Sequence, residues 1–296
     1  MTVQVWKFQV GPLKQEKGLR LDQLVSMHTG LSKRKVRAII KIGGVQINRK
    51  RIKVAGKIVT DESEISVAYN NTLGTPANYN IPILFEDDWL LIVDKPADIA
   101  SQGTRASDQH DLIAMLRRQH PNQKLALQHR LDQGTSGILI VAKHPLAYLN
   151  NQFQSQEIKK TYLARITKPI NTCSVNLPIG LVHGTLPTVR GCSGNLLDPK
   201  PAITDFCNAK PSDIAELVPG YWVEAKPHTG RTHQIRIHLA SLDRPILGDT
   251  FYNGEKSDRL WLHSWKLALQ HPVTGEQLSL TAPPNRFFIN NNDSKK

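Results

Sequence analysis

Cysteine is scarce in this chain of 296 residues: Cys173, Cys192 and Cys207 are all there are, and no two of them stand in a CxxC spacing. That excludes a disulfide framework and a thiolate metal site. Long apolar runs are missing as well. No stretch approaches the length of a membrane span, and the start MTVQVWKFQV lacks the basic segment, apolar block and small-residue cleavage site of a signal peptide, so a cytoplasmic protein is expected. Internal repeats and low-complexity tracts are also absent. With 40% hydrophobic and 21% charged residues, the chain is no disordered polymer and can bury a sizeable core. Its length fits one large domain or about two.

Acidic residues are outnumbered, and the formal net charge is +13. A field of that sign attracts polyanions and steers their association, which makes nucleic acid the leading partner. An anionic membrane surface would want a basic helix with a broad apolar face carrying Trp, Phe or Leu, and the sequence offers none.

Between Leu31 and Val54 acidic residues vanish, while Lys33, Arg34, Lys35, Arg37, Lys41, Arg49, Lys50, Arg51 and Lys53 crowd together. Leu21, Leu24 and Val25 predict a helix ending near Gly30. Ser32 caps a second helix with Val36, Ile39 and Ile40 on its apolar side, ending at Gly43-Gly44. Lys33, Arg37 and Lys41 then share one solvent face. Val45, Ile47, Ile52 and Val54 around the basic turn Asn48 to Arg51 predict a short hairpin. A solvated basic face is the bland account. With one helix and the following turn both charged and nothing in the stretch to neutralise them, RNA contact by Lys33, Arg34, Arg37, Lys41, Arg49, Lys50 and Arg51 is the preferred one.

Arg20-Leu21-Asp22, Ser32-Lys33-Arg34 and Gly44-Val45-Gln46-Ile47-Asn48 resemble the S4 RNA-binding domain over residues 17 to 69. The sequence departs from that pattern at Arg49, where the family often has Gly, and at Thr60-Asp61, which replaces Gly-Asp. Residues 70–80, NNTLGTPANYN, read as a linker between a domain at 1–69 and a second at 81–291, and 292–296 as a flexible tail.

The second stretch has a different texture. Ile83-Leu84-Phe85 and Trp89 to Val93 flank the acidic turn Glu86-Asp87-Asp88. Asp111 to Gln119 looks helical. Thr161 to Thr167, Tyr221 to Lys226 and Leu260 to Leu269 look like further strands, so an α+β domain is expected rather than a regular parallel α/β fold. In QHRLDQGTSGILIVAK, residues 128–143, Ile138 to Ala142 is a buried strand with Asp132 near its mouth. Beside Gly, Thr and Ser an aspartate is usually a turn or capping carboxylate. The other reading is a carboxylate presented into a cleft. Local structure at 235–242 stays open, since Ile235, Leu239 and Leu242 fit a helix face while Ile235, Ile237 and Leu239 fit a strand. His129, His228, His233 and His238 raise a metal site, but the five-residue step from 233 to 238 misses a helical i, i+4 face, and no metal is assigned. Gly134-Thr135-Ser136-Gly137 raises a serine hydrolase. The GxSxG elbow would need Gly where Ile138 stands.

HRLDQGTSG, taken with FEDDWLLIVDKP, KKTYLARI, PKPAITDF, HTGRTHQIRIHL, PILGDTFY and LHSWKLALQHPVTGE in that order, resembles the RluA-type pseudouridine synthases over residues 81 to 285. One departure is Asp98, where the KPxG pattern has Gly. The resemblance implies a small S4 domain followed by a mixed, mainly antiparallel curved sheet with a central cleft. It also implies a catalytic aspartate at Asp132, a tyrosine at Tyr162 and a basic partner of the aspartate at Arg231. The reaction breaks the N1 to C1′ bond of uridine and joins C5 to C1′, with no redox change, so no cofactor is implied. A guanidinium such as Arg231 would keep the carboxylate ionised and oriented, and Tyr162 would offer a flat face for uracil and a phenol. Arg130 is the candidate to fill the place of a base drawn out of its stack. By analogy the substrate is structured RNA, foremost 23S-type ribosomal RNA or a precursor ribosomal particle, met by a monomer. The rival is a non-enzymatic S4-type RNA-binding or ribosome-assembly factor.

Overall fold

The computed structural model describes residues 3–11, 18–60, 62–70, 80–183, 189–210 and 220–282. Apart from residues 70 and 80 the expected linker lies outside these, as do Asp61 and the expected tail. The chain forms two compact units, one of residues 1–80 with 100–122 and one of 81–99 with 123–296. No helix among the described residues is long and apolar enough to cross a membrane.

The first unit holds β1 (Gln4–Gln9), α1 (Leu21–Thr29), α2 (Lys33–Lys41), β2 (Val45–Ile47), β3 (Lys50–Arg51), β4 (Glu64–Tyr69) and α3 (Leu112–Gln119). Its sheet runs β1-β4-β2-β3, all antiparallel. Leu21, Leu24 and Val25 of α1 and Val36, Ile39 and Ile40 of α2 enter one core with Val45, Ile65 and Val67. The capping signals act as expected. Gly30 closes α1 at φ 70°, and the Ser32 hydroxyl accepts from the Lys35 N–H at the start of α2. Asn48 and Arg49 join β2 to β3 at φ 47° and 65°, the two left-handed positions of a two-residue hairpin loop. That conformation explains why glycine suits position 49. Residues 100–122 belong to this unit through bonds such as Asp108 N–H to the Ile42 carbonyl, 3.1 Å, and Asp111 caps α3 by accepting from Ala114 N–H.

The second unit is built on a ten-stranded sheet and a three-stranded one. Among the described residues its strands are β5 (Ile83–Glu86), β6 (Leu90–Lys95), β7 (Ala126–Leu127), β8 (Ser136–Ala142), β9 (Lys159–Ile166), β10 (Cys173–Asn176), β11 (Ile179–Val182), β12 (Arg190–Gly191), β13 (Leu196–Lys200), β14 (Ile203–Asn208), β15 (Tyr221–Pro227), β16 (Leu262–Gln270) and β17 (Gln277–Thr281), and its α-helices are α4 (Asn150–Gln154) and α5 (Gln234–Ser241). The large sheet runs β10-β14-β15-β9-β16-β8-β6-β5, with β17 on β16 and β7 on β8, and β11 carries β12 and β13 in the small one. Among the described strands of this unit every pairing is antiparallel except β8 with β16. The architecture is α+β and mainly antiparallel.

β6 and β8 are buried at every position, so they read as unbroken apolar runs rather than alternating ones. Ile92, Ile138, Ile140 and Leu267 share one core cluster. The parallel contact sets Gly137 opposite Ser264. Gly137 has φ 106°, and a Cβ there would run into the Ser264 backbone, so only glycine lets the two strands meet where the loop carrying Asp132 enters the sheet. Residues 234–241 are a helix, which resolves the ambiguity that their apolar spacing left.

Candidate active site and nucleic-acid interface

The loop from 128 to 135 joins β7 to β8 and is tied down at many points. Gln128 N–H donates to the Ile140 carbonyl, 3.0 Å, and Thr135 N–H to the Asp132 carbonyl, 3.1 Å. The His129 Nε2 accepts the Ile140 N–H at 3.1 Å, and burial beside Lys160 pushes its pKa down to about 3. Lys95, fully buried at the end of β6, donates to the carbonyls of Pro96, Ile99 and Gln133 at 2.9, 2.7 and 3.1 Å. Burial brings its pKa down to about 7 against the pull of Asp98 and Asp132. Gln133 Nε2 donates to the Asp98 carbonyl. Asp98 takes φ 62°, the conformation for which the family pattern has glycine. At the far end of the loop the Ser136 hydroxyl meets Arg259 and His263, each at 2.8 Å.

This anchoring leaves the Asp132 carboxylate 25% exposed in the wall of a cavity of about 330 Å³, lined also by Gln133, His233, Arg236, Phe251 and Leu260. Arg236 Nη1 donates to Asp132 Oδ2 at 3.1 Å, while its Nε and Nη2 grip Asp249 at 2.7 and 2.8 Å. Asp249 is almost fully buried. Burial opposes the Arg236 charge, but the hydrogen bonds and charges of Asp249 and Asp132 outweigh it and hold its pKa above the ordinary arginine value. His233 Nε2 lies 3.8 Å from Asp132 and its Nδ1 pairs with the Tyr252 hydroxyl at 2.8 Å. Burial lowers the His233 pKa, with Asp132 opposing.

The expected partner of Asp132 requires correction. Arg231 stands in the turn before α5, exposed. Its N–H is held by the Gln234 side chain at 3.0 Å and its Nε donates to the Pro201 carbonyl at 2.9 Å. Gln234 also accepts from Thr229 and donates to Ile203 and Thr204, which fixes the turn and aims Arg231 along the neighbouring strand. Arg236, inside the helix, takes the carboxylate. Arg236 and Asp249 are the site residues that motif reading missed. Both lie in segments already singled out, IRIHL and ILGDTFY, but their pairing across thirteen residues leaves no periodic signal.

Tyr162 sits on β9 opposite Ser264 and is 9% exposed. Burial raises its pKa to about 12, against a hydrogen bond from Ser264 and with Asp132 adding to the rise. It is not among the described residues that line the cavity. The four histidines go to separate tasks: His228 pairs with Asp205 at 2.6 Å, His238 bridges Thr204 and the Leu177 carbonyl, and His129 and His233 act as above. Among the described residues no three His, Cys, Asp or Glu side chains are grouped to hold a metal ion. Arg130 is exposed and has no hydrogen bond or ion pair within the described residues.

The basic face of the first unit is less uniform than its sequence. Lys33, Arg34, Lys41, Arg49 and Lys50 are exposed. Arg37 instead donates to the buried Asp22 at 2.7 Å, beside Arg20, and the hydrogen bond from Arg20 leads the effects that hold the Asp22 pKa below its usual value. Arg51 donates to the carbonyls of Gly43 and Thr104, and Asp108 lies 3.8 Å from it and 2.9 Å from Lys53. The expectation that nothing neutralises this stretch is corrected: Asp22 and Asp108 come from outside it and claim Arg37, Arg51 and Lys53.

Comparison with known proteins agrees with this two-unit fold. The RNA pseudouridylate synthase family matches residues 89–241 and the S4 domain residues 19–65. An RNA pseudouridine synthase of Mycoplasma genitalium is 30% identical, over 89% of this chain and 88% of the relative. The ribosomal large subunit pseudouridine synthase C of Pasteurella multocida is 32% identical over 90% and 87%. The structure of human RNA pseudouridylate synthase domain containing 1 superposes with a TM-score of 0.58 at 26% identity, covering 71% of this chain and 86% of that one. A mainly antiparallel catalytic sheet preceded by an S4 domain defines an S4-bearing RNA isomerase. The chain belongs to the RluA-type RNA pseudouridine synthases.

Proposed function

We propose that this enzyme isomerises uridine in large-subunit ribosomal RNA, with Asp132 acting on the ribose of the target nucleotide. The observation that carries the reading is Asp132 itself: a carboxylate exposed to a cavity, anchored on both flanks of its loop, with a counter-charge held in place by Asp249. An ionised carboxylate is the form that can attack the sugar or take a proton from it, and Arg236 stabilises that form while aiming it. Tyr162, kept protonated by burial, supplies a phenol that can donate but not abstract. Arg231 reaches the substrate's phosphates from the rim of the turn, and Arg130 fills the space left by the extruded uridine.

The S4 face of Lys33, Arg34, Lys41, Arg49 and Lys50 grips the RNA backbone, with Arg37 and Arg51 shaping the fold beneath it. The relatives named for the ribosomal large subunit support the choice of substrate. The reading extends to a monomer acting in the cytoplasm on free rRNA or a precursor particle. Pseudouridine mapping across total RNA from cells with and without this protein tests the proposal. Loss of one or more large-subunit sites is expected; an unchanged large-subunit map with a site lost from another RNA would overturn it.

A further inference from the structure

Phe251 is 49% exposed, yet it lines the same cavity as the Asp132 carboxylate. Its ring is held in place. Tyr252 meets it at 5.0 Å and 74°, and His233 at 5.8 Å and 76°. Both partners are themselves fixed: the Tyr252 hydroxyl bonds His233, the Arg236 guanidinium lies 5.1 Å from the Tyr252 ring, and Tyr252 N–H donates to the Asp249 carbonyl at 3.1 Å. The Asp249 and Arg236 pair that positions Asp132 therefore also positions this phenyl group. The setting is charged. Arg236 and His233 stand beside it, and the Arg190 charge acts on both His233 and Tyr252. An apolar protein surface would have to desolvate these groups without pairing them. A flat base carried on a phosphate backbone matches both features, a π face for the ring and anionic oxygens for the cations.

We propose that Phe251 is a stacking platform for the base next to the target uridine in the substrate RNA, and so helps select the sequence around the modified position. The inference rests on the Asp132 cavity being the place where uridine reacts. The reacting nucleotide must reach Asp132 in the cavity wall, where only a quarter of that side chain is exposed. Half-exposed Phe251 meets the strand beside it. Phe251 is a binding residue that touches an unreacted nucleotide.

The test uses the full-length protein and large-subunit rRNA transcripts carrying uridine tritiated at C5, from which a short RNA spanning the modified uridine is cut. Phe251→Ala should raise the half-saturating RNA concentration about 5- to 150-fold, the usual worth of one base stacked on an aromatic ring. That loss should exceed any fall in the single-turnover maximum. Phe251→Trp should restore tight binding, and Phe251→Leu, apolar but not flat, should not. Replacing one neighbouring nucleotide by an abasic sugar should weaken wild type by a similar factor and make Phe251→Ala silent. Equal losses for Phe251→Ala on the intact RNA and on both abasic RNAs would overturn the proposal, as would an unchanged half-saturating concentration or rescue by Leu equal to that by Trp. An Asp132→Asn variant that still turns over would instead defeat the catalytic reading, and leaves this result to be judged by the abasic RNAs.

Discussion

Arg236 meets Asp249 through two parallel N–H donors, 2.7 and 2.8 Å long, and turns its remaining terminal nitrogen to Asp132 at 3.1 Å. The bidentate end is buried and the single hydrogen bond is open to the cavity. A planar guanidinium gripped on one edge has little freedom left on the other, so Asp249 orients Asp132 at one remove. Lysine cannot reproduce this fork.

Arg236→Lys is therefore expected to lose most single-turnover activity while still binding RNA, and Arg236→Ala also to lose stability. Removing one partner of a buried pair costs about 3–5 kcal/mol because the other charge is left uncompensated. Arg231→Ala should leave the chemical step nearly intact and weaken RNA binding modestly. Single-turnover rates and urea midpoints for the three variants decide; a chemical defect in Arg231→Ala as deep as in Arg236→Lys would overturn this assignment.

Asp132→Asn keeps the shape of the side chain and removes its charge. Folding and RNA binding should persist, and pseudouridine formation should fall by ~10²–10⁴-fold or more, the range for losing a group that acts directly on the reacting atoms. Asp132→Glu should also be slow, because the longer chain displaces the carboxylate from the position Arg236 sets. Tritium release near the wild-type rate from the Asn variant would contradict the role.

On the S4 face, replacing Lys33, Arg34 and Lys41 together with Ala should flatten the log-log salt dependence of RNA binding by ~0.7–0.9 for each phosphate that is no longer neutralised. Arg37→Ala and Arg51→Ala should act chiefly on stability, since their partners are Asp22 and backbone carbonyls. Titrations at several salt concentrations, paired with thermal melts, separate the two groups. An unchanged slope in the triple variant would mean that this face touches no RNA backbone.

Arg130→Ala should slow modification of a folded stem-loop more than that of an unstructured strand with the same flanking sequence. In the open strand part of the unstacking cost, a few kcal/mol, has already been met. Equal losses on both RNAs would remove the base-replacing role and leave Arg130 as a phosphate-binding residue.

His129 makes stability depend on acidity. Burial holds its folded-state pKa at about 3, below the ordinary histidine value near 6.5, so the unfolded chain binds a proton that the folded one refuses. The contribution is fully present above pH ~6.5 and is lost as pH falls toward the folded value, at up to ~1.4 kcal/mol per pH unit. His129→Gln, whose amide oxygen can still accept the Ile140 N–H, should shed that part of the acid sensitivity. Parallel curves of unfolding free energy against pH for the two proteins would refute it.

Much of this protein was written in local sequence. The stripe Leu21, Leu24 and Val25, the cap at Ser32, the stop at Gly30 and the unbroken run from Ile138 to Ala142 each record how one short segment meets the core, because side-chain periodicity reports which face of a segment is buried. The ordered motifs from FEDDW to LHSW were enough to identify the family and to single out Asp132 as the candidate for the chemistry.

What the tertiary structure alone decided are relations between segments far apart in the chain. Residues 234–241 become a helix because Gln234 anchors its first turn to β14, a choice that their apolar spacing left undecided. Arg236 and not Arg231 reaches Asp132, 104 residues away, and Asp22 and Asp108 claim charges that looked free in the basic stretch. A charge count treats all arginines alike. Which one meets a carboxylate depends on where the turn before α5 points and on how glycine at 137 lets β8 lie beside β16, and those are properties of the assembled sheet that no single segment carries.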